Sequence, residues 1–559
     1  MKYIYLLVTV FIILATFYGS QAYSGATYIY VIFSFSSFLM LAVCLLQKQY
    51  FGPIFISVFL WMGFWFKSTL YFFTQKSFVE PVGRFNFTVE SWDEVLVVAA
   101  VGMSGLTFSI LGFRILNNKK ILFRNLKLPA VGEIPDFYTN HRFKIYLISY
   151  AIAVIIPLIN MRLGIHQIGL NPRTILSWPL NAVISFAINI GLMLLCSVYL
   201  FWDIKKEKGI FLGISLTVLT ALLASISALS RGMFILQLMP IFIALMINRK
   251  SNFKFFMGGV LTLTIFLILS ISIITILRNK FYPNVNIMTS GQEFLIRLEV
   301  IEGGIGRVKE LIKRAEKSDG SSDSIRSNSL HLDALTEEKK QLTEKLEHYK
   351  INRPDPDEEV ISKKISIFKK NMNIGWSEML FQIKYEAVKN ILNLAFNRFI
   401  GVEGVMAMQS FNSKGWDVFI DAILEKRLSA KHGMYQEVAM STYRNTDMKV
   451  WQFASLPGAI AFLYYSGSLV AVFLGMFIFG VILIYVEKCV FFLSSGNIFL
   501  ISLIMSSVSS SIAQFGLAPR QDLPYYSMIF MSIIAYWFTV RLLNKKADVN
   551  NLNRSCSLI

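Results

Sequence analysis

The sequence predicts an all-α integral membrane protein with about twelve transmembrane helices. Three observations lead there. The chain has 559 residues, of which 55% are hydrophobic and only 16% charged. Its mean hydropathy is +0.54. Apolar runs close to the roughly 20 residues that a span needs recur along most of its length. A soluble domain carries about 25% charged residues, so a soluble enzyme, a coiled coil and a disordered chain are excluded. The 48 Phe, 23 Tyr and 9 Trp suit lipid-facing surfaces and interfacial belts.

The apolar runs fall near 3–20, 27–46, 52–73, 93–113, 144–161, 177–202, 209–229, 233–248, 255–277, 457–486, 490–513 and 525–543. The first imitates a signal peptide, but its n-region holds only Lys2 and no clean cleavage site follows, so it reads as the first span. Basic residues orient the set by the positive-inside rule. Lys2, Lys48, the group from Arg114 to Lys144, Lys205 to Lys208, Arg249 to Lys254, Lys488 and the group from Arg541 to Arg554 all fall in alternate connections. These positions hold 20 basic residues against six acidic ones, Glu133, Asp136, Asp203, Glu207, Glu487 and Asp548. Most of the formal net charge of +19 is thus a topology signal that places both termini in the cytoplasm, and nucleic acid is not an expected partner. The four cysteines suggest neither a disulfide framework nor a metal knuckle.

The expected organisation is residues 1–277 as nine spans, 278–452 as one large outer loop, 453–543 as three further spans and 544–559 as a cytoplasmic tail. The loop carries 27 Lys and Arg against 24 Asp and Glu, so it is nearly neutral. Loops this long are usually functional. It opens with helical apolar spacing at Phe294, Leu295, Leu298, Ile301 and Ile305. A hydrophilic insert, about 307–360, then runs through a Ser-rich linker and an exposed mixed-charge helix.

P-loop, GxGxxG, HExxH, CxxC and GxSxG motifs are all missing, so no cofactor or metal is expected. The candidates are charges at the outer ends of spans. Arg231 sits in the short Ser230-Arg231-Gly232 turn, Arg278 ends the ninth span, and Arg398 and Glu403 share NRFIGVEGVMAM. His432 lies in Lys431-His432-Gly433, Arg444 in Tyr443-Arg444-Asn445, and Arg520 in the last outer turn before Asp522. An arginine offers a planar fork of donors that suits phosphate oxygens. His432 could carry a proton near neutral pH. Each also has a plain reading as a snorkelling or solvated charge. Gly467, Gly475 and Gly480, after Pro457, would let helices approach, and the serines 507 and 509–511 read as packing residues. No span shows a ladder of charges, which argues against ion-coupled transport.

The blocks NRFIGVEGVMAM, GWDVF and SLPGAIAFLYYSGSLVAVFLGMFIFG, over residues 395–485, resemble the C-terminal half of Wzy-type O-antigen polymerases. The SRG turn and the large late loop agree. The resemblance implies a bundle like that of C-type glycosyltransferases in the bacterial inner membrane. It implies an undecaprenyl-diphosphate-linked oligosaccharide as donor, transferred without metal to the non-reducing end of another lipid-linked unit. It also implies Arg231, Arg278, Arg398, Arg444 and Arg520 as diphosphate or glycan ligands, with Glu403, or else His432, as the base. Membrane lipid and a polysaccharide chain-length regulator are the other implied partners. An O-antigen ligase is the nearest rival. A lipid-linked oligosaccharide flippase is a rival of another class, which should line its bundle interior with charge.

Overall fold

The computed structural model describes residues 2–46, 50–74, 78, 80–118, 134–169, 172–177, 179–230, 232–249, 253–281, 329, 332–333, 336–337, 339–340, 343, 399, 401–425, 433–439, 456–514 and 519–556. Among the described residues the protein is helical and has no strand. The helices are α1 (Lys2–Ala22), α2 (Thr27–Leu46), α3 (Phe51–Trp61), α4 (Lys67–Thr74), α5 (Val89–Asn118), α6 (Asp136–Leu163), α7 (Leu180–Phe186), α8 (Leu192–Lys205), α9 (Phe211–Ser227), α10 (Met233–Arg249) and α11 (Phe253–Phe281). After the large insertion come α12 (Val402–Gln409), α13 (Trp416–Leu424), α14 (Met434–Val438), α15 (Ala459–Leu463), α16 (Leu469–Leu493), α17 (Ile498–Gln514) and α18 (Pro519–Cys556). A π-helical turn, Met62–Phe66, joins α3 to α4, and another, Ala187–Gly191, joins α7 to α8.

Seven stretches among the described residues are long and apolar enough to cross a membrane: Thr27–Leu46, Phe51–Phe73, Val89–Leu116, Asp136–Leu163, Leu180–Lys205, Leu469–Leu493 and Leu523–Leu542. Four shorter apolar helices accompany them: Phe211–Ser227, Met233–Ile247, Leu263–Leu277 and Ile498–Gln514. The protein is therefore a helical membrane protein. Leu, Ile and Phe side chains stay exposed along α2, α6, α16 and α18, as a lipid-facing surface requires.

The chain divides into two compact units. The first holds 1–275, 390–443 and 447–559, and the second holds 276–389 and 444–446. The expected loop is thus shared between them. In the second unit the described residues between Ser329 and Thr343 are helical, and the Thr336 and Thr343 hydroxyls donate to the carbonyls of Leu332 and Lys339.

In the first unit α5 packs along α2 and α16, and α17 packs against α3, α8 and α10. Lipid tails are as apolar as Leu, so small residues and hydrogen bonds, more than apolar burial, hold such helices together. Gly480 abuts the Ser109 hydroxyl, and Gly475 abuts Leu463. Ser502 donates to the Pro240 carbonyl at 2.7 Å, Ser509 to the Gly52 carbonyl at 3.1 Å, and Tyr526 to Ser511 at 2.7 Å. The serine tract of α17 is a packing surface.

Three expectations are corrected. The apolar run 457–486 is not one helix. Gly458 and Gly467 take φ of +77° and +70°, a region that glycine enters freely. The chain therefore forms α15 and a 3₁₀ turn, Tyr464–Ser466, then starts α16 afresh with Ser468 accepting from the Ala471 N–H. Second, Arg142, Asp203, Glu487 and Lys488 are not connection charges but helix residues. Asp203 is fully buried and accepts from Arg142 Nε and Nη2 at 2.7 Å each and from Tyr138 and Tyr146 at 2.8 Å each. Glu487 is buried and accepts from the Phe51 N–H at 2.5 Å and the Gly52 N–H at 2.9 Å. It caps α3, whose own N-cap, Tyr50, supplies no side-chain cap. Third, α18 runs helical to Cys556, through most of the expected tail.

Candidate functional site

The segment 401–409 enters the bundle backbone-first. Gly401 has the Gly63 carbonyl 2.7 Å from where a Cβ would stand, so no side chain fits there. Gly404 abuts the Pro457 carbonyl more closely still, which seats α12 on α15. Every residue from Val402 to Met408 is buried. Residues 402–408 are apolar except for Glu403 in the first turn, where a carboxylate complements the positive end of the helix dipole.

Glu403 is 1% exposed and pairs with Lys67, itself 6% exposed. Lys67 Nζ also donates to the Phe399 carbonyl at 3.1 Å. Glu403 Oε2 has no hydrogen-bond donor among the described residues. Lys67 is the first residue after the π turn Met62–Phe66 and lies six residues inside the end of the span Phe51–Phe73, about 9 Å at 1.5 Å per residue. π turns recur at functional sites. The pair is thus inside the bundle, wedged between a span and a helix that does not cross. Tyr435 of α14 is also buried. Burial first, then the charges of Tyr465, Glu403 and Glu80, holds its phenol well above the ordinary tyrosine range.

A second polar group closes the same region where α12 ends. Glu94 of α5 accepts from the Tyr464 hydroxyl at 2.5 Å and from Gln409 Nε2 at 3.0 Å, and Gln409 reaches Ser91 at 3.3 Å. Lys414 donates to the carbonyls of Met408 and Gln409 at 3.3 and 3.0 Å, which neutralises the C-terminal end of α12. Its ammonium lies 5.0 Å from the Tyr464 ring centre. Burial lowers the Lys414 pKa, and Glu94 partly opposes that shift. Further along, Glu425 Oε1 accepts from the Met434 N–H at 2.6 Å at the start of α14. Burial raises the Glu425 pKa, the Met434 bond lowers it and Glu437 raises it again.

Of the seven candidate site residues, Glu403 alone has a described side chain. Arg278 and Arg520 lie on α11 and α18, with only their helical backbone described. Arg231, Arg398, His432 and Arg444 lie outside the described residues. Next to Arg231, Ser230 is buried, and its N–H donates to the Ser225 carbonyl at 3.0 Å. Nearby, His166 faces Asn189 Oδ1 at 2.9 Å, and burial holds its imidazole below the ordinary histidine pKa. Among the described residues no three His, Cys, Asp or Glu converge as metal ligands.

Sequence reasoning missed Lys67, Glu94, Gln409, Lys414 and Tyr464. The signal for Lys67 was present. It is the single charge in Phe51–Phe73, and an ionisable residue inside a span is a functional candidate by default. No protein-family model matches the chain, and no curated protein or solved structure is similar to it.

Proposed function

We propose that this protein is a membrane glycosyltransferase that joins lipid-linked oligosaccharide repeat units, a polymerase of the Wzy type. One observation carries this reading. Segments of two of the three blocks that resemble that family, 402–408 and 457–466, pack on one another through Gly404 and Pro457, and the first carries the buried Glu403 carboxylate. In this reading α1, α9, α10, α11 and α17 also cross, which makes twelve spans, and α12 to α15 form a re-entrant platform on the outer side of the inner membrane.

The chemistry is a displacement at the anomeric carbon of the donor. The acceptor hydroxyl oxygen forms the new bond to that carbon, the bond from carbon to the diphosphate oxygen breaks, and the diphosphate leaves with the electron pair. Arg231, Arg278, Arg398, Arg444 and Arg520 are the cations proposed to meet that developing charge, where they stabilise the transition state more than the ground state. The acceptor proton needs a base within hydrogen-bond reach. Glu403 is the proposed base, with His432 second. Glu403 has acceptor capacity at Oε2, but its enclosure means that it acts only when α12 and α4 part enough to admit the hydroxyl. With the pair closed, its work is to hold the N-terminus of α12 against α4.

A flippase for lipid-linked oligosaccharide is the second reading, and the Lys67–Glu403 pair favours it. This one ion pair lies inside the bundle, and a non-crossing helix end beside an intramembrane charge is a feature of transporter sites. The deciding experiment gives purified protein in liposomes lipid-diphosphate-linked repeat units without nucleotide sugar. A ladder spaced by whole repeats supports the polymerase. Transfer only to added lipid A-core makes it a ligase. Movement of the lipid across the bilayer with no new bond makes it a flippase.

A further inference from the structure

The surface of α13 is divided into three strips. Ala422 is 3% exposed, and Val418 and Phe419 are partly covered on the same side. That side is anchored to the bundle. The Gly415 N–H donates to the Tyr465 carbonyl at 2.8 Å, the Phe419 ring packs on Phe462 at 5.7 Å, and the helix rests on the Tyr464–Ser466 turn and on α18. Trp416, Ile420 and Leu424 are 58%, 49% and 56% exposed. At 3.6 residues per turn, the spacing i, i+4, i+8 places these three within about 80° of one another. Asp417 and Asp421 are exposed and flank that strip on its far side.

Three exposed large apolar side chains on one helix side, edged by two carboxylates, need a medium that is apolar below and aqueous above. The neighbouring surface supplies it. Val470 at the start of α16 and Leu523 in α18 are 67% and 63% exposed, and both belong to stretches that can cross a membrane. The helix α13 itself packs on the Tyr464–Ser466 turn, just before α16 begins, and on α18. Tryptophan at the edge is the usual residue of the membrane–water boundary, and a short helix with an apolar strip and a charged strip lies in the plane of that boundary.

We infer that α13 is an interfacial helix, with Trp416, Ile420 and Leu424 inserted at the headgroup–acyl boundary of the bilayer and Asp417 and Asp421 in water. Through Phe419 and the Gly415–Tyr465 bond it ties the level of the lipid headgroups to α15, the helix on which α12 and Glu403 are seated. This makes α13 a strut that fixes the depth of the candidate site in the membrane, whichever chemistry that site performs.

The test uses the full chain in nanodiscs of phosphatidylethanolamine and phosphatidylglycerol. Spin labels are placed on Ile420→Cys, Asp421→Cys and Ala422→Cys in a background without native cysteines. Collision rates with oxygen, which concentrates in lipid, and with a water-soluble nickel chelate are compared. The expected result is an oxygen-to-nickel ratio several-fold higher at 420 than at 421, with 422 shielded from both. Equal, water-like ratios at 420 and 421 would overturn the inference. So would a label at 420 shielded from both reagents, which means that protein covers the strip. Leu424→Cys against Asp417→Cys repeats the comparison if labelling disturbs the first set.

Discussion

Lys67 and Glu403 show at the residue scale why a buried pair has to be judged by its partners. Removing one member strands a charge away from water, which costs about 3–5 kcal/mol, whereas replacing both with apolar groups is often neutral. Lys67→Met and Glu403→Leu should therefore each lower unfolding stability by that order, and the double variant should recover most of it in a thermal or denaturant melt in detergent. Additive losses would show that the two act apart. Glu403→Gln, which keeps size and loses the proton-accepting charge, should abolish glycan ladders in the liposome assay under the proposed reading. Glu487 is a different case. It answers two backbone donors of α3, so Glu487→Ala should cost about 1–3 kcal/mol through unpaired N–H groups. His166 sets a pH dependence. Burial lowers its pKa from the ordinary 6.5, so the folded protein keeps it neutral while the unfolded chain takes up a proton. Its contribution is present above 6.5 and lost as pH falls through the lower, folded value. Melts of wild type should weaken below 6.5, and the fall should be shallower in His166→Gln.

Glycine decides the local architecture at the element scale. A Cβ at Gly404 would collide with the Pro457 carbonyl, and backbone cannot step aside as a flexible side chain can. Gly404→Ala should thus unseat α12 from α15 and reduce the yield of folded protein in size-exclusion profiles. A Cβ at Gly467 would meet only the Lys414 Cβ, at 3.4 Å, but the residue sits at φ +70°. Gly467→Ala should cost about 1–2 kcal/mol from the left-handed backbone, and Gly467→Asn should cost less. The sequence reading took Gly467, Gly475 and Gly480 as three packing glycines. That holds for Gly475 and Gly480, whereas Gly467 is a turn that ends the short helix before α16 begins. Hydropathy misses such a break because both halves of 457–486 are equally apolar.

Charge patterning and helix length act on the whole molecule. The proposed twelve-span arrangement would place both termini on one side, so under it reporter fusions after Lys2 and after Cys556 should give the same cytoplasmic signal, and a fusion at Ser227 the opposite one. A split result at the termini would mean an odd number of crossings. The second scale-wide expectation is the repeat-unit ladder itself, since polymerase, ligase and flippase readings share this architecture and differ in what leaves the site.

The sequence by itself determined the class of the molecule, the position of nearly every apolar helix and the choice of Glu403 as a candidate. The first two follow from local quantities, runs of apolar residues long enough to cross a bilayer and basic connections, and Glu403 follows from what the resemblance of its block implies. Only the tertiary structure decided what each charge meets. Lys67 and Glu403 are 336 positions apart in the chain, Glu487 caps a helix 436 residues away, and Arg142 and Asp203 were counted as connection charges until their helices paired them. Burying a charge in a bundle is tolerated only with a partner, and that partner is chosen by the packing of helices, a long-range outcome that periodicity and composition do not encode.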